Sequence, residues 1–166
     1  GVWIDDMIVA GYLGQFHPSG MVFDSSGSLY VSLFDANADA NPSDAFNSGY
    51  GAIIKIDPDN QASVLIAFNN GDDVQDVGEA ADLHHPGSLA FGPDGKLYVA
   101  TRSTTVNELD KVVILDPNAS TPFAQVDQIE ITRVSDAPLH PRAILFGPSG
   151  KLFVSLNEPE STQKTA

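Results

Sequence analysis

The sequence contains no cysteine, which removes a disulfide framework and any thiolate nucleophile or metal site and leaves the redox compartment open. Basic residues are almost as scarce. Eight Lys and Arg stand against 22 Asp and Glu, for a formal net charge of −14. Binding a polyanion requires cationic side chains to displace its counterions, and this chain carries the opposite field. Nucleic acid and anionic membrane are therefore excluded as expected partners, whereas cations, basic surfaces, neutral sugars and peptides are not. The same charge also serves solubility. No apolar run approaches the ~18 residues of a membrane-spanning helix. The opening residues, GVWIDDMIVAGYLG, have no basic flank ahead of their apolar stretch, so they do not read as a signal peptide. Helical periodicity is nearly missing too, and only Asp73 to Asp82 (DVQDVGEAAD) suggests a turn of helix.

What the chain has in quantity is self-similarity. One pattern, His-Pro-x-x-x-x-Phe-x-x-x-Gly-x-Leu-aromatic-Val-small, occurs three times without slippage. The copies are HPSGMVFDSSGSLYVS from His17, HPGSLAFGPDGKLYVA from His85 and HPRAILFGPSGKLFVS from His140. Repetition in fixed register marks a repeat architecture. Within each copy a short β-pattern (Gly20–Phe23, Ser88–Phe91, Ala143–Phe146) leads to a tight turn ending in Gly27, Gly95 or Gly150. There glycine supplies the positive φ that other residues resist. A second strand follows at Leu29–Val31, Leu97–Val99 and Leu152–Val154. Two copies continue into a third strand, Ala52–Ile56 and Lys111–Leu115. Each then meets an Asp-Pro turn (Asp57-Pro58, Asp116-Pro117) that cannot extend a ladder. Fourth strands are predicted at Ser63–Phe68 and within Phe123–Ile131.

Four antiparallel strands per unit, repeated, make an all-β chain of β-propeller blades. The residues that carry this pattern are the Pro, the Phe, the Gly-x-Leu-aromatic-Val run and the Asp-Pro turn. Through them the chain resembles the NHL and senescence-marker/gluconolactonase-like superfamily of six-bladed propellers. The expected organisation of residues 1–166 is a single propeller domain or fragment. Residues 1–16 supply the last strand of a preceding blade (Met7 to Leu13), 17–69 and 85–133 are blades, and 140–166 is the first half of another. Two and a half blades do not close a ring of four to eight. The expectation is therefore that further blades lie outside this chain, or that copies join edge to edge.

Connections in a meander alternate between the two ends of the sheet. Short turns (Asp24–Gly27, Asp57–Gln61, Gly92–Gly95, Asp116–Thr121, Gly147–Gly150) share one end. The long connections (Asp35–Gly51, Asn69–His84, Arg102–Asp110, Val134–Leu139) share the other. Long loops on a rigid scaffold are where binding and catalysis concentrate, so the long-loop face is the expected functional face. Three groups collect there. His17, His85 and His140 head the strands expected to line the channel, as a ring of metal ligands or bases or simply as turn residues before Pro. Asp35, Asn37, Asp39 and Asp44 present oxygen at alternate positions, as a calcium loop does and as a polar turn-rich loop also does. The loop departs from an EF-hand, with Ala40 at the sharp-turn position and Phe46 where a bidentate Glu belongs. Asp72, Asp73, Asp76, Glu79 and Asp82 add an acidic cluster that attracts cations or is simply solvated.

The gluconolactonase-like enzymes that this chain resembles tend to place Asp after the aromatic-Val-x of the second strand, and Asn before the first-strand Gly, to hold a divalent ion. Here the strand positions are Ser32, Ala100 and Ser155, and no Asn-Gly precedes the strands. No Gly-x-Ser-x-Gly elbow, phosphate loop or Cys/His zinc spacing occurs. The expected function is accordingly an extracellular or periplasmic propeller that binds a protein, glycan or small molecule with its acidic long-loop face. The alternative is a divalent-metal-dependent lactone or ester hydrolase, or a lyase, with its site at the channel mouth. Ca2+ is the favoured ion and Zn2+ the lesser.

Overall fold

The computed structural model describes residues 16–35, 51–67, 86–102, 110–120, 123–131 and 140–157, and every regular element among them is a strand. The first sheet runs β1 (Phe16–Phe23), β2 (Leu29–Asp35), β3 (Gly51–Ile56) and β4 (Ala62–Ala67) in sequence order, each antiparallel to the next. The second repeats it with β5 (Leu89–Phe91), β6 (Leu97–Thr101), β7 (Lys111–Asp116) and β8 (Ala124–Glu130). A third sheet pairs β9 (His140–Phe146) with β10 (Leu152–Asn157). This is the partial β-propeller that the repeat implies. The expected strand over Met7 to Leu13 and the helical turn over Asp73 to Asp82 lie outside the described residues.

Turn chemistry sets the register. Gly27, Gly95 and Gly150 have φ of 87°, 77° and 75°, and each donates its N–H to the carbonyl three residues back. In the first turn Asp24 Oδ1 accepts from the amides of Ser26 (2.8 Å) and Ser28 (2.9 Å) and from Ser26 Oγ (2.7 Å). Its Oδ2 accepts from the Tyr30 hydroxyl at 3.2 Å. Partial burial raises the Asp24 carboxyl, but these hydrogen bonds outweigh it and hold the group below its ordinary value. Burial, then the Asp24 charge, pushes the Tyr30 phenol well above its own. The second blade reuses the device, with Tyr98 donating to Asp94 Oδ2 at 3.2 Å. The third has Ser149 and Phe153 at those positions, so both the acid and the hydroxyl are lost together.

The blades meet through the repeat residues themselves. Tyr30 of β2 packs edge-on against Phe91 of β5, with centroids 5.1 Å apart, and Tyr98 of β6 does the same with Phe146 of β9 at 4.8 Å. Tyr30, Ile53, Leu89, Leu97, Val99 and Phe123 form the core between the first two sheets. Ala90, Ala100, Val112 and Ile144 form the one between the second and third. The inner strands β1, β5 and β9 lie side by side. Serine hydroxyls stitch one blade to the next: Ser32 of β2 donates to Gly87 O, and Ser88 Oγ accepts from Ile144 N at 3.2 Å. The second blade is covered on both faces and the others are not. Leu89 is 5 % exposed, but Met21 at the same repeat position is 66 % exposed. Ala90 is 8 % exposed, but Leu145 is 55 % exposed.

The first two blades approach closely at Gly20. A Cβ built there would stand 2.5 Å from Gly87 O and 2.9 Å from Ser88 Cα, both backbone atoms with nowhere to swing. Gly20→Ala should therefore destabilise the protein by about 1–3 kcal/mol through overpacking. Gly87→Ala, whose nearest neighbour is Ala100 O at 3.4 Å, should cost less. Urea unfolding midpoints check this, and equal midpoints for the two variants would contradict the junction as described.

Candidate functional site

The heads of the inner strands depart from simple alternation. Register slips between Pro18 and Gly20 on β1, leaving Ser19 as an extra residue, and between Pro141 and Ala143 on β9, leaving Arg142 as an extra residue. Such a bulge turns one side chain out of the pleat and often borders a functional site. Ser19, Gly87 and Arg142 occupy one position of the repeat, directly after the His-Pro pair. All three line an open cleft of about 150 Å³, together with Arg102, His140, Pro86 and Pro141. The cleft lies at the end of the sheets from which the long connections depart.

One face of the cleft carries a histidine with a buried partner. His140 Nδ1 lies 2.7 Å from Asp110 Oδ2. Asp110 is only 4 % exposed, and it belongs to the residue run that opens β7 in the neighbouring sheet. A carboxylate only accepts hydrogen bonds, so Nδ1 carries the proton in the neutral ring and Nε2 keeps its lone pair. Burying a carboxylate is costly without partners, and this histidine is one that meets the cost. The neutral polar atoms nearby are engaged within and between the blades. Ser19 Oγ donates to Pro86 O and lies 3.0 Å from Ser32 Oγ, and Gly87 N donates to Ala100 O at 2.7 Å.

Of the residues singled out in sequence, His140 is placed in this cleft. His17 heads β1 opposite Phe34, but its side chain, like that of Asp35 at the end of β2, is not among those described. His85, Asn37, Asp39, Asp44 and the cluster of Asp72, Asp73, Asp76, Glu79 and Asp82 lie outside the described residues. Among the described residues no three His, Cys, Asp or Glu come together as a metal would require. His140 and Asp110 are two such groups, and the other candidate ligands, His17, His85, Asp35, Asn37, Asp39 and Asp44, are not among the side chains described. Sequence reasoning missed Asp110, Arg102 and Arg142. Asp110 was hidden because its partner lies in another blade. Arg142 had a signal: the position directly after the constant His-Pro pair reads Ser, Gly and Arg, and only the third copy places a charge there.

The His140–Asp110 contact makes a direct prediction. Long-range 1H–15N correlation of the neutral ring should show His140 with its proton on Nδ1, and Asp110→Ala should move it toward Nε2. A wild-type ring protonated on Nε2 would remove Asp110 as its acceptor.

No protein-family model matches the chain, and no curated protein matches it. Solved structures do. One is a protein assigned through its family to the gluconolactonases, 18 % identical over 84 % of this chain and 41 % of that one, with a TM-score of 0.55. Another is a luciferin-regenerating enzyme, 15 % identical over 93 % of this chain and 42 % of that one, with a TM-score of 0.53. A third is a gluconolactonase from Xanthomonas campestris, 17 % identical over 87 % of this chain and 44 % of that one, with a TM-score of 0.51. The chain spans less than half the length of each. Its structural neighbours are thus gluconolactonase and senescence-marker-like propellers, and it shares their fold.

Proposed function

We propose that the chain is part of a propeller hydrolase that opens a cyclic ester, a lactone, at the cleft between the inner strands. The observation that carries this reading is the 2.7 Å contact between His140 at the cleft wall and the buried Asp110. A histidine whose Nδ1 is held by a carboxylate presents Nε2 in fixed orientation, the arrangement of a general base. Nε2 takes a proton from water as the water oxygen attacks the ester carbonyl carbon. The ring C–O bond then breaks, and the proton passes to the departing alkoxide. The product is a hydroxy acid, and no atom is left over.

The fold of the neighbours supports this alternative over a binding module that works through its acidic loops. Two of the three are gluconolactonases by description. A divalent ion of the kind the resemblance implies would polarise the ester carbonyl, and the proton transfers above are those of His140 and Asp110 themselves.

The test is lactone turnover followed by acid release above the spontaneous rate, with aldonolactones and simple γ- and δ-lactones, with and without added calcium or zinc. His140→Ala should lower kcat by roughly 10²–10⁴-fold, the usual contribution of a positioned base. Asp110→Asn should lower kcat with little change in KM, because it disturbs the ring and not the substrate. Turnover that is absent from the wild type under all conditions, or unaffected in His140→Ala, would sink the proposal.

A further inference from the structure

We infer that the cleft holds an oxyanion of its ligand, a carboxylate or a phosphate, with Arg102 and Arg142. The inference deepens the hydrolase reading and rests on it only for the identity of the ligand as substrate or product. The anion site itself stands on the composition of the cleft. The chain has only three arginines against 22 acids, and two of the three line one small cavity. They come from different blades, Arg102 following β6 and Arg142 at the bulge of β9, so local sequence clustering does not bring them together. Among the described residues no carboxylate lines the cleft, and the ion pairs seen among them, Lys55–Asp57 and His140–Asp110, involve neither arginine.

The rest of the lining cannot compete for a ligand's charge. Pro86 and Pro141 have no N–H. The Pro86 and Gly87 carbonyls already accept from Ser19 and Ser32, and the Gly87 amide already donates to Ala100 O. His140 has Nδ1 engaged by Asp110. What remains are the guanidinium donors, which cannot accept and cannot lose their charge, and the single lone pair of His140 Nε2. A molecule that fits must bring acceptors, and guanidinium meets carboxylate and phosphate with paired, charge-assisted hydrogen bonds. The ligand of an acidic protein is thus itself acidic at the point of contact. Both arginines are exposed to water, so the preference for an anion over a neutral analogue comes from charge-assisted hydrogen bonding added at the cleft.

The experiment is titration calorimetry on the whole chain with three probes: sodium gluconate, inorganic phosphate, and sorbitol, which has the gluconate skeleton without the carboxylate. Gluconate or phosphate should bind and sorbitol should not, and the tighter of the two anions identifies the group that the cleft prefers. Arg102→Gln and Arg142→Gln should each weaken anion binding by about tenfold, the effect of losing one hydrogen bond to a charged group. Lys151→Gln, in the turn at the opposite end of β9, should leave it unchanged. Failure of both anions to bind the wild type, equal binding of sorbitol, or undiminished binding in both arginine variants would overturn the inference. Lactone turnover measured on the same variants keeps the two proposals apart. Undiminished anion binding in the arginine variants overturns this one even where His140→Ala abolishes turnover. Arginine-dependent binding by a protein without turnover upholds it and overturns the hydrolase reading.

Discussion

Each blade of this chain is held to the next by two aromatic rings meeting edge to face, one from the second strand of a blade and one from the first strand of its successor. Such pairs contribute about 0.5–1.5 kcal/mol beyond the area they bury, and they also fix the angle between sheets. The angle in turn dictates what happens at the inner strands. With the rings seated, β1 and β5 come so close that only glycine fits at position 20. The serine hydroxyls then reach carbonyls and amides across the junction. The cleft is built from the same strands, so its arginines and histidine are placed by the junction and not by their own loops.

The fold was legible in the sequence because the junction residues are the repeat. Phe at the seventh position and the aromatic at the fourteenth recur in every copy, and the structure shows them meeting between copies. Turn positions were legible for a local reason, the positive φ that Gly27, Gly95 and Gly150 adopt. Two of the three inner strands are longer than their pattern predicts. β1 and β9 continue through His-Pro because one extra residue, Ser19 or Arg142, bulges out and lets pairing resume beyond it. A bulge is the outcome of pairing between two strands, and one strand's pattern does not announce it.

The candidate site was only partly legible. His140 was singled out because the repeat carries it, but its role depends on Asp110, thirty residues earlier in sequence and in a different sheet. The net charge of −14 directed attention to cations, yet the cleft at the inner strands is lined by arginine and histidine. A summed charge describes the long-range field of a molecule, whereas recognition is decided within a few ångströms, where screening and geometry govern. Two scarce cations placed together outweigh many dispersed acids at that range.

The blade junction organises the chain, and the outer faces provide its most direct test. Met21 and Phe23 on one side, and Leu145 and Phe153 on the other, are exposed where their repeat equivalents are covered by a neighbouring blade. A face of that kind seeks a partner. Light scattering on the 17.6 kDa chain by itself should therefore report species larger than the monomer, and Leu145→Ser with Phe153→Ser should reduce their mass. A monodisperse 17.6 kDa species at micromolar concentration that unfolds cooperatively would contradict the account, because blades that need a neighbour would then be stable without one.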